Sequence, residues 1–369
     1  MLPPRKPLVV ISGVNLVEAG PLAVFKDAVK CFVNNYSNSY DLTLIVYKKD
    51  LFTDINLHGV KILEYQYPKK LWLLRVWFEY VHLYFVSKKF RPYLWFSIHD
   101  MTPNVQCKSK AVYCHNPAPF YTPSLRDIYF EKTLFFFRYF YSFFYRINIK
   151  SNKYVIVQQD WLRKAFQKKY AISNVIVAYP DIHVKPALKE TDIGRPGTIH
   201  FIYPAMPRVF KNFEVLLSAA EKLSKLNLNF KVIITIDGSE NKYSSYLKKK
   251  FQHVSNIEFI GLQPRDKIFE LYQISSCLVF PSKLETWGLP ITEMQSFNKP
   301  IFVAKELYAY ETVGNYKKSC FFNSSDADEL AQLMKDLIEN KIIFAETDFK
   351  EPQQPFSNNW EDLFSLLLK

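Results

Sequence analysis

Short, continuously apolar runs alternate with longer segments of helical periodicity along the chain, and this alternation constrains the fold more than any other feature. The runs Leu8–Ser12, Leu42–Tyr47, Val60–Tyr65, Leu94–Ile98, Ala111–Cys114 and Tyr154–Val157 read as strands, with helices such as Leu22–Asn34 and Trp161–Lys169 between them. The pattern resumes with strands at Ile199–Tyr203, Phe230–Ile236, Ile257–Ile260, Cys277–Phe280 and Ile301–Ala304. Helices are expected there at Phe213–Leu226, Ser245–Phe251, Asp266–Gln273 and Ile291–Phe297. Strands without polar alternation are buried on both faces, so the expected class is α/β, with doubly wound parallel sheets covered by helices. The 369 residues exceed what one such core usually holds. Pro186, Gly194, Pro196 and Gly197 cluster among charged residues and mark a linker. The expected division is a first domain over 1–182, a linker over 183–198, a second domain over 199–355 and a C-terminal helix over 356–369 that packs back on the first domain. Ligands of such sheets sit at the carboxyl ends of the strands, here in a cleft between the domains.

Charge separates the two halves. The net charge is +13, and residues 1–180 hold 25 Lys and Arg against 11 Asp and Glu, whereas residues 181–369 hold 23 against 24. The whole excess lies in the first half, which points to a polyanion or an anionic membrane as its partner; a merely solvated basic surface is the plain alternative. Five cysteines without C-x-x-C pairing fit a reducing compartment and supply neither a disulfide framework nor a zinc site. The apolar run Leu8–Ile11 is too short for a signal peptide, and no stretch reaches the roughly 18 apolar residues of a membrane span. A cytoplasmic or peripheral protein is expected.

The most informative segment runs from Pro281 to Glu293. It follows the strand Cys277–Phe280 and opens a helix with Pro290 in the first turn, where a missing N–H costs nothing. A helix start offers free amides and a positive dipole end to a phosphate, and Gly288 removes a side chain where a pyrophosphate would approach. Glu285 and Glu293 are placed to grip hydroxyls at two ends of one ligand. Equally open from the residues alone, Glu293 is a favourable N-terminal charge and Glu285 an ordinary loop residue. With only nine glycines in the chain, where average usage gives roughly 25, each one is informative.

Glu285-x-x-Gly288-Leu289-Pro290-x-x-Glu293, an E-x7-E spacing after a Val-Phe-Pro-Ser strand end, resembles the signature of family 4 glycosyltransferases, the group 1 enzymes. The resemblance extends to Tyr203-Pro-Ala-Met-Pro-Arg208-Val-Phe-Lys211-Asn, Ile236-Asp237-Gly238, Ile260-Gly261-Leu262, Tyr113-Cys-His115-Asn116-Pro117 and Val157-Gln-Gln-Asp-Trp161-Leu-Arg163. It implies the GT-B fold, two Rossmann-like domains facing each other across a cleft. It also implies retaining transfer from a nucleoside-diphosphate sugar, with no cofactor and no metal. Without a metal, cations and amides must stabilise the departing diphosphate. By resemblance Lys211 and Arg208 clamp the pyrophosphate, Glu293 holds the ribose hydroxyls, and Glu285 contacts the sugar and supports charge on its anomeric centre. Thr286, Trp287, Gly288 and Leu289 face phosphate or sugar, and the main chain at Leu262 holds the base. His115 touches the transferred sugar, with Asn116 and Asp100 as strand-end substrate contacts. Gly13 and Gly20 bracket the first strand–helix loop, whose amides approach the donor; Ala19 stands where a second glycine is common. The expected catalytic set is Lys211, Glu285 and His115.

Two segments join aromatics to cations. Lys69–Tyr93 has 8 aromatics and 6 Lys or Arg among 25 residues, and Leu125–Lys150 has 11 aromatics and 5 Lys or Arg among 26. Such composition suits a helix lying in an anionic bilayer interface; the alternative is that the rings pack between sheet and helices. The expected function is transfer to a lipid-linked or growing surface glycan at the inner face of a bacterial cytoplasmic membrane, in O-antigen, lipopolysaccharide or capsule assembly, with UDP as the favoured nucleotide. A basic single-stranded nucleic-acid module would use the first half but leave the E-x7-E segment without a purpose, so no nucleic acid is expected. A GT-B-like epimerase or phosphorylase keeps the cleft but not the membrane-facing half. Asp326-Ala-Asp328 matches a metal-binding D-x-D but sits at a helix start and reads as a cap.

Overall fold

The computed structural model describes residues 6–17, 19–181 and 197–369. It divides into two compact units, one comprising Met1–Phe120, Phe137–Asp181 and Pro352–Lys369, the other Tyr121–Phe136 and Ile182–Glu351. The expected linker lies almost wholly outside the described residues.

The first unit is built on β1 (Leu8–Ser12), β2 (Asp41–Val46), β3 (Lys61–Glu64), β4 (Leu94–Ser97), β5 (Ser109–Tyr113), β6 (Tyr154–Val157) and β7 (Val175–Ala178). The second is built on β8 (Ile199–Tyr203), β9 (Phe230–Ile234), β10 (Ile257–Phe259), β11 (Cys277–Phe280), β12 (Ile301–Ala304) and β13 (Ser319–Phe322). A last short strand, β14 (Phe356–Ser357), returns to the first. The sheet orders are β14-β7-β6-β5-β4-β1-β2-β3 and β10-β9-β8-β11-β12-β13. Every pairing is parallel, as the unbroken Val, Ile and Leu content of the strands demands. In each sheet the order of winding reverses beside the first strand, between β1 and β4 and between β8 and β11. Those two switch points, at the carboxyl ends of the strands, are where an open parallel sheet leaves a crevice for a ligand.

The C-terminal segment completes the first unit. Phe356 pairs with Val177, and Arg163, held by Asp160, donates from Nη1 to the carbonyls of Gln353 (2.7 Å) and Pro355 (3.1 Å). The helix Trp360–Leu367 is capped by Asn359, whose side chain accepts from the Asp362 amide at 2.8 Å. Its apolar face buries Trp360, Leu363, Phe364 and Leu367, with Phe364 edge-on to Phe32 (5.2 Å) and Phe96 (6.0 Å). Each such side chain contributes roughly 1.5–3 kcal/mol by burial.

One segment departs from the contiguous division read from the sequence. Tyr121–Phe136 belongs to the second unit. Phe130 packs on Tyr243 (5.6 Å) and Tyr246 (4.9 Å), Arg126 pairs with Glu214, and Glu131 pairs with Arg208. In the same unit Asp326 accepts from the amides of Asp328 and Glu329, both at 2.9 Å, and so caps the helix Ala327–Ile338.

Candidate functional site

In the second unit β8 and β11 deliver two loops to the switch point. The first ends in the turn Val209–Lys211, after which Asn212 takes a left-handed conformation (φ 57°), one that asparagine tolerates. The Asn212 side chain donates to the carbonyls of Pro281 (3.0 Å) and Ser324 (2.8 Å). Tyr203 Oη, on the last residue of β8, donates to the Lys211 carbonyl at 2.8 Å, and the Lys283 amide donates to the Phe210 carbonyl at 2.8 Å. The backbones of both loops are therefore fixed to each other and to the sheet. Lys211 Nζ reaches Glu285 Oε1 at 2.5 Å, with both side chains mostly buried. The structure thus joins two residues 74 positions apart into one ion pair at the end of the strands.

The segment after Glu285 is anchored from below. Gly288 caps the helix Leu289–Ser296 at φ 91°, and a Cβ there would press on Ile291 (3.2 Å) and Phe280 (3.3 Å). Backbone conformation and the packing underneath both require glycine at this position. Trp287 is buried; its indole nitrogen donates to Thr292 Oγ1 at 3.3 Å and its carbonyl accepts from Thr312. Thr286 and Leu289 are partly exposed. Glu293 lies buried one turn into the helix. Its Oε1 accepts from Arg265 Nη2 (2.8 Å) and its Oε2 from Tyr272 Oη (2.9 Å). Burial, reinforced by the Glu293 charge, pushes the Tyr272 phenol well above its ordinary value, so it stays a donor. The two carboxylates of the E-x7-E spacing therefore carry different partners.

Arg208 is drawn to Glu131 and lies over the Phe210 ring at 5.5 Å. Leu262 follows β10 and is well exposed, preceded by Gly261, where a Cβ would meet Asp237 Oδ2 at 2.9 Å. Neither Glu131 as the partner of Arg208, nor Arg265 and Tyr272 as partners of Glu293, was signalled by any motif.

In the first unit the expected contacts gather at the ends of β4 and β5. Asp100, in a left-handed conformation (φ 73°), accepts through Oδ1 from the amides of His115 (2.5 Å) and Asn116 (3.0 Å) and from Tyr145 Oη (2.6 Å). This carboxylate organises the loop. His115 stacks on Tyr113 at 4.5 Å, and its Nε2–H donates to the Ile98 carbonyl at 2.9 Å, which leaves Nδ1 as the acceptor nitrogen. Burial lowers its pKa, against the opposing pull of Asp100 and the Ile98 bond, so the neutral ring is favoured. The Asn116 side chain accepts from the Ala118 amide at 2.9 Å in a local turn. Gly13 directly follows β1, and a Cβ on it would strike the Phe25 ring. Gly20 is not in the strand–helix loop; it lies in the first turn of the helix Ala19–Tyr36. Among the described residues no group of three or more His, Cys, Asp or Glu could hold a metal ion.

The aromatic-basic segments divide their rings. Trp72 packs on Phe140 (4.7 Å) and Phe144 (5.2 Å), whereas Leu71, Leu73, Trp77, Val81 and Phe85 are exposed between Lys69, Lys70, Lys88 and Lys89. No helix among the described residues is long and apolar enough to cross a membrane.

Comparison with known proteins follows the same lines. Residues 196–355 match the family described as glycosyl transferases group 1. The fold is shared with lipopolysaccharide outer core galactosyltransferase WaaB in its apo form, at 12 % identity over 98 % of this chain and 99 % of that one, with a TM-score of 0.65. It is shared also with sucrose-phosphate synthase from Thermosynechococcus elongatus, at 12 % identity over 91 % and 90 % of the two chains, with a TM-score of 0.69. A third likeness is to Anabaena HepE in complex with UDP-glucose, at 14 % identity over 91 % and 90 %, with a TM-score of 0.59. No curated protein matches the sequence. Two parallel α/β sheets, the loops at their switch points and the solved structures that share them lead to one assignment: the chain has the GT-B fold, and its second domain, over residues 196–355, matches the group 1 glycosyl transferases.

Proposed function

We propose that the chain transfers a sugar, with retention at the anomeric carbon and without a metal, from a nucleoside-diphosphate donor to a lipid-linked or growing surface glycan such as an O-antigen, lipopolysaccharide or capsule. The observation that carries this reading is the Lys211–Glu285 pair, held by both strand-end loops at the β8/β11 switch point. In the transfer the bond from the anomeric carbon to the diphosphate breaks with its electron pair going to the diphosphate. The acceptor hydroxyl oxygen forms the new bond, and its proton passes to the departing diphosphate oxygen. Lys211 stabilises the charge that grows on the leaving group, and Glu285, which fixes the ammonium, lies next to the cationic anomeric centre. Glu293 takes the ribose hydroxyls by exchanging its exposed partner Arg265, while Tyr272 keeps its second oxygen in place. The exposed main chain at Leu262 holds the base. Neutral His115 accepts from a sugar hydroxyl through Nδ1.

UDP is the proposed nucleotide, in line with the UDP-glucose bound by the HepE structure. A membrane-bound acceptor is supported by the exposed Leu71, Leu73, Trp77, Val81 and Phe85 among lysines, a surface suited to the interface of an anionic bilayer. The protein is placed by this reading at the cytoplasmic face of the membrane. The test is thermal stability with UDP, GDP, ADP and dTDP, with and without a divalent cation. Stabilisation by one of them without metal is the expected result. Absence of any stabilisation, or stabilisation only with metal, would overturn the donor assignment or its metal independence respectively.

A further inference from the structure

The first unit contains a polar cluster that the transfer described above does not use. The turn Tyr67–Lys69 and the helix Trp72–Trp77 set Lys69, Trp72 and Arg75 along one wall of a cavity of about 300 Å³, which Asn15, His99 and Asp100 also line. Arg75 is 1 % exposed. Its Nε lies 2.9 Å from Glu79 Oε1, and His99 Nε2 lies 3.0 Å from the same oxygen. That arrangement leaves the outer end of the guanidinium unused: Nη1 and Nη2 have no hydrogen-bond partner among the described residues, nor has the indole nitrogen of Trp72. Three buried donors on one cavity wall are costly unless something accepts from them. The two nearby carboxylates do not. Glu79 meets Arg75 Nε and His99 through Oε1 alone, with no hydrogen-bond partner at Oε2, and Asp100 Oδ1 accepts from His115, Asn116 and Tyr145. Directly after Arg75 the helix widens into a π turn over Phe78–His82, a distortion frequent at functional sites.

We propose that this cavity is an oxyanion subsite for the acceptor, in which Arg75 and Trp72 donate to a phosphate or carboxylate group and Lys69 supplies a charge at the rim. The planar guanidinium fork matches two oxygens of one such group. The proposal rests on the reading of the chain as a transferase with a glycan acceptor and specifies the chemistry that acceptor must carry. A lipid phosphate and an acidic sugar both supply it, and the exposed apolar residues Leu71 and Leu73 beside the turn favour the lipid phosphate.

The experiment uses the full chain saturated with UDP, so that the donor site is filled. Thermal stability is followed on titration with farnesyl phosphate, farnesol, glucuronic acid and methyl glucoside. The expected result is stabilisation by farnesyl phosphate beyond that by farnesol, or by glucuronic acid beyond that by methyl glucoside. The first difference assigns a lipid phosphate, the second an acidic sugar. Arg75→Gln alone strands Glu79, so R75Q/E79Q removes both charges together; it should bind the anion at least tenfold more weakly while keeping its response to UDP. Lys69→Ala, on the exposed rim, should weaken binding about threefold. Equal responses to charged and neutral probes in the wild-type chain, or an unchanged anion response in R75Q/E79Q, would overturn the proposal. Loss of the UDP response in the wild-type chain would instead overturn the donor reading, and the anion titrations remain interpretable without UDP.

Discussion

Removing the Lys211 ammonium tests the donor site most directly, because the structure permits its effect to be sized. Lys211 and Glu285 form one ion pair with side chains only 18 % and 13 % exposed. A diphosphate oxygen about 4 Å from the ammonium gains about 4 kcal/mol at an effective dielectric near 20. In Lys211→Ala that attraction goes, and Glu285 is left as an uncompensated charge. At about 6 Å from the diphosphate it repels by about 3 kcal/mol on the same scale. Much of this total is recovered by solvent and by rearrangement, so the observable loss is set lower. UDP affinity should fall by about 10–100-fold, or about 1.4–2.8 kcal/mol. Turnover should fall by about 10²–10³, the usual effect of removing one charge-stabilising donor. The second substitution separates attraction from repulsion: K211A/E285Q should regain about half of the lost UDP affinity, since the unpaired charge is gone. Calorimetric titration with UDP and a turnover assay under saturating donor give the four corners of the cycle, with circular dichroism to establish folding. If folded K211A binds UDP and turns over like the wild type, the cation is not at the diphosphate. If K211A/E285Q binds no better than K211A, Glu285 does not act through its charge.

Glu293→Ala should weaken UDP binding by about tenfold and also lower stability by about 1–3 kcal/mol, because Tyr272 Oη loses its buried acceptor; urea unfolding together with UDP titration reads both, and unchanged UDP affinity would remove the ribose role. Phe364→Ala should cost the first unit about 3–5 kcal/mol by cavity formation, measured by urea unfolding, with a loss below about 1 kcal/mol contradicting the packing described. His115 has a pKa lowered by burial from its ordinary 6.5, so the folded state binds fewer protons than the unfolded chain. Stability should therefore be full above about pH 6.5 and decline as pH falls below it. The difference between wild type and His115→Gln in melting temperature across pH 5–8 isolates this contribution, and a pH-independent difference would contradict it. Leu73→Asp with Phe85→Asp should reduce sedimentation with anionic vesicles at least tenfold, and wild-type binding should weaken at high salt; equal binding of both proteins would show that this face does not dock.

Strands whose residues all pack inward were legible, as Leu8–Ser12, Tyr154–Val157 and Cys277–Phe280 illustrate, because nothing but a doubly covered parallel sheet buries them. The run Val175–Ala178 carries the same signal at four residues. Ser319–Phe322 was hidden by its polar start and by the lysines before it, and Phe356–Ser357 is too short to carry any periodicity. Of the candidate site, the loops bearing Lys211 and Glu285 could be located from strand ends and from the E-x7-E spacing. Their pairing could not, since it depends on Asn212 and Tyr203 fixing backbones far apart in sequence. Gly288 and Gly13 illustrate a different limit. A glycine marks a crowded Cβ position, but the sequence does not name the neighbours, here Ile291 and Phe280 beside Gly288 and Phe25 beside Gly13. The Arg75–Glu79 pair had a signal in its i,i+4 spacing, which reads as an ordinary surface pair until burial is known.

The route of the chain through the first unit has a consequence for biosynthesis. Strand β14 and the helix Trp360–Leu367 fill a face of the first sheet, yet they emerge from the ribosome only after the intervening second unit has been made. At roughly 5–20 residues per second that interval is on the order of ten to several tens of seconds. Throughout it, Phe32, Phe96 and the open edge of β7 lack their final cover. The nascent first domain is thus a natural client for a chaperone that shields an aromatic patch and an unpaired strand edge, and its maturation is tied to the completion of a domain that it does not itself contain.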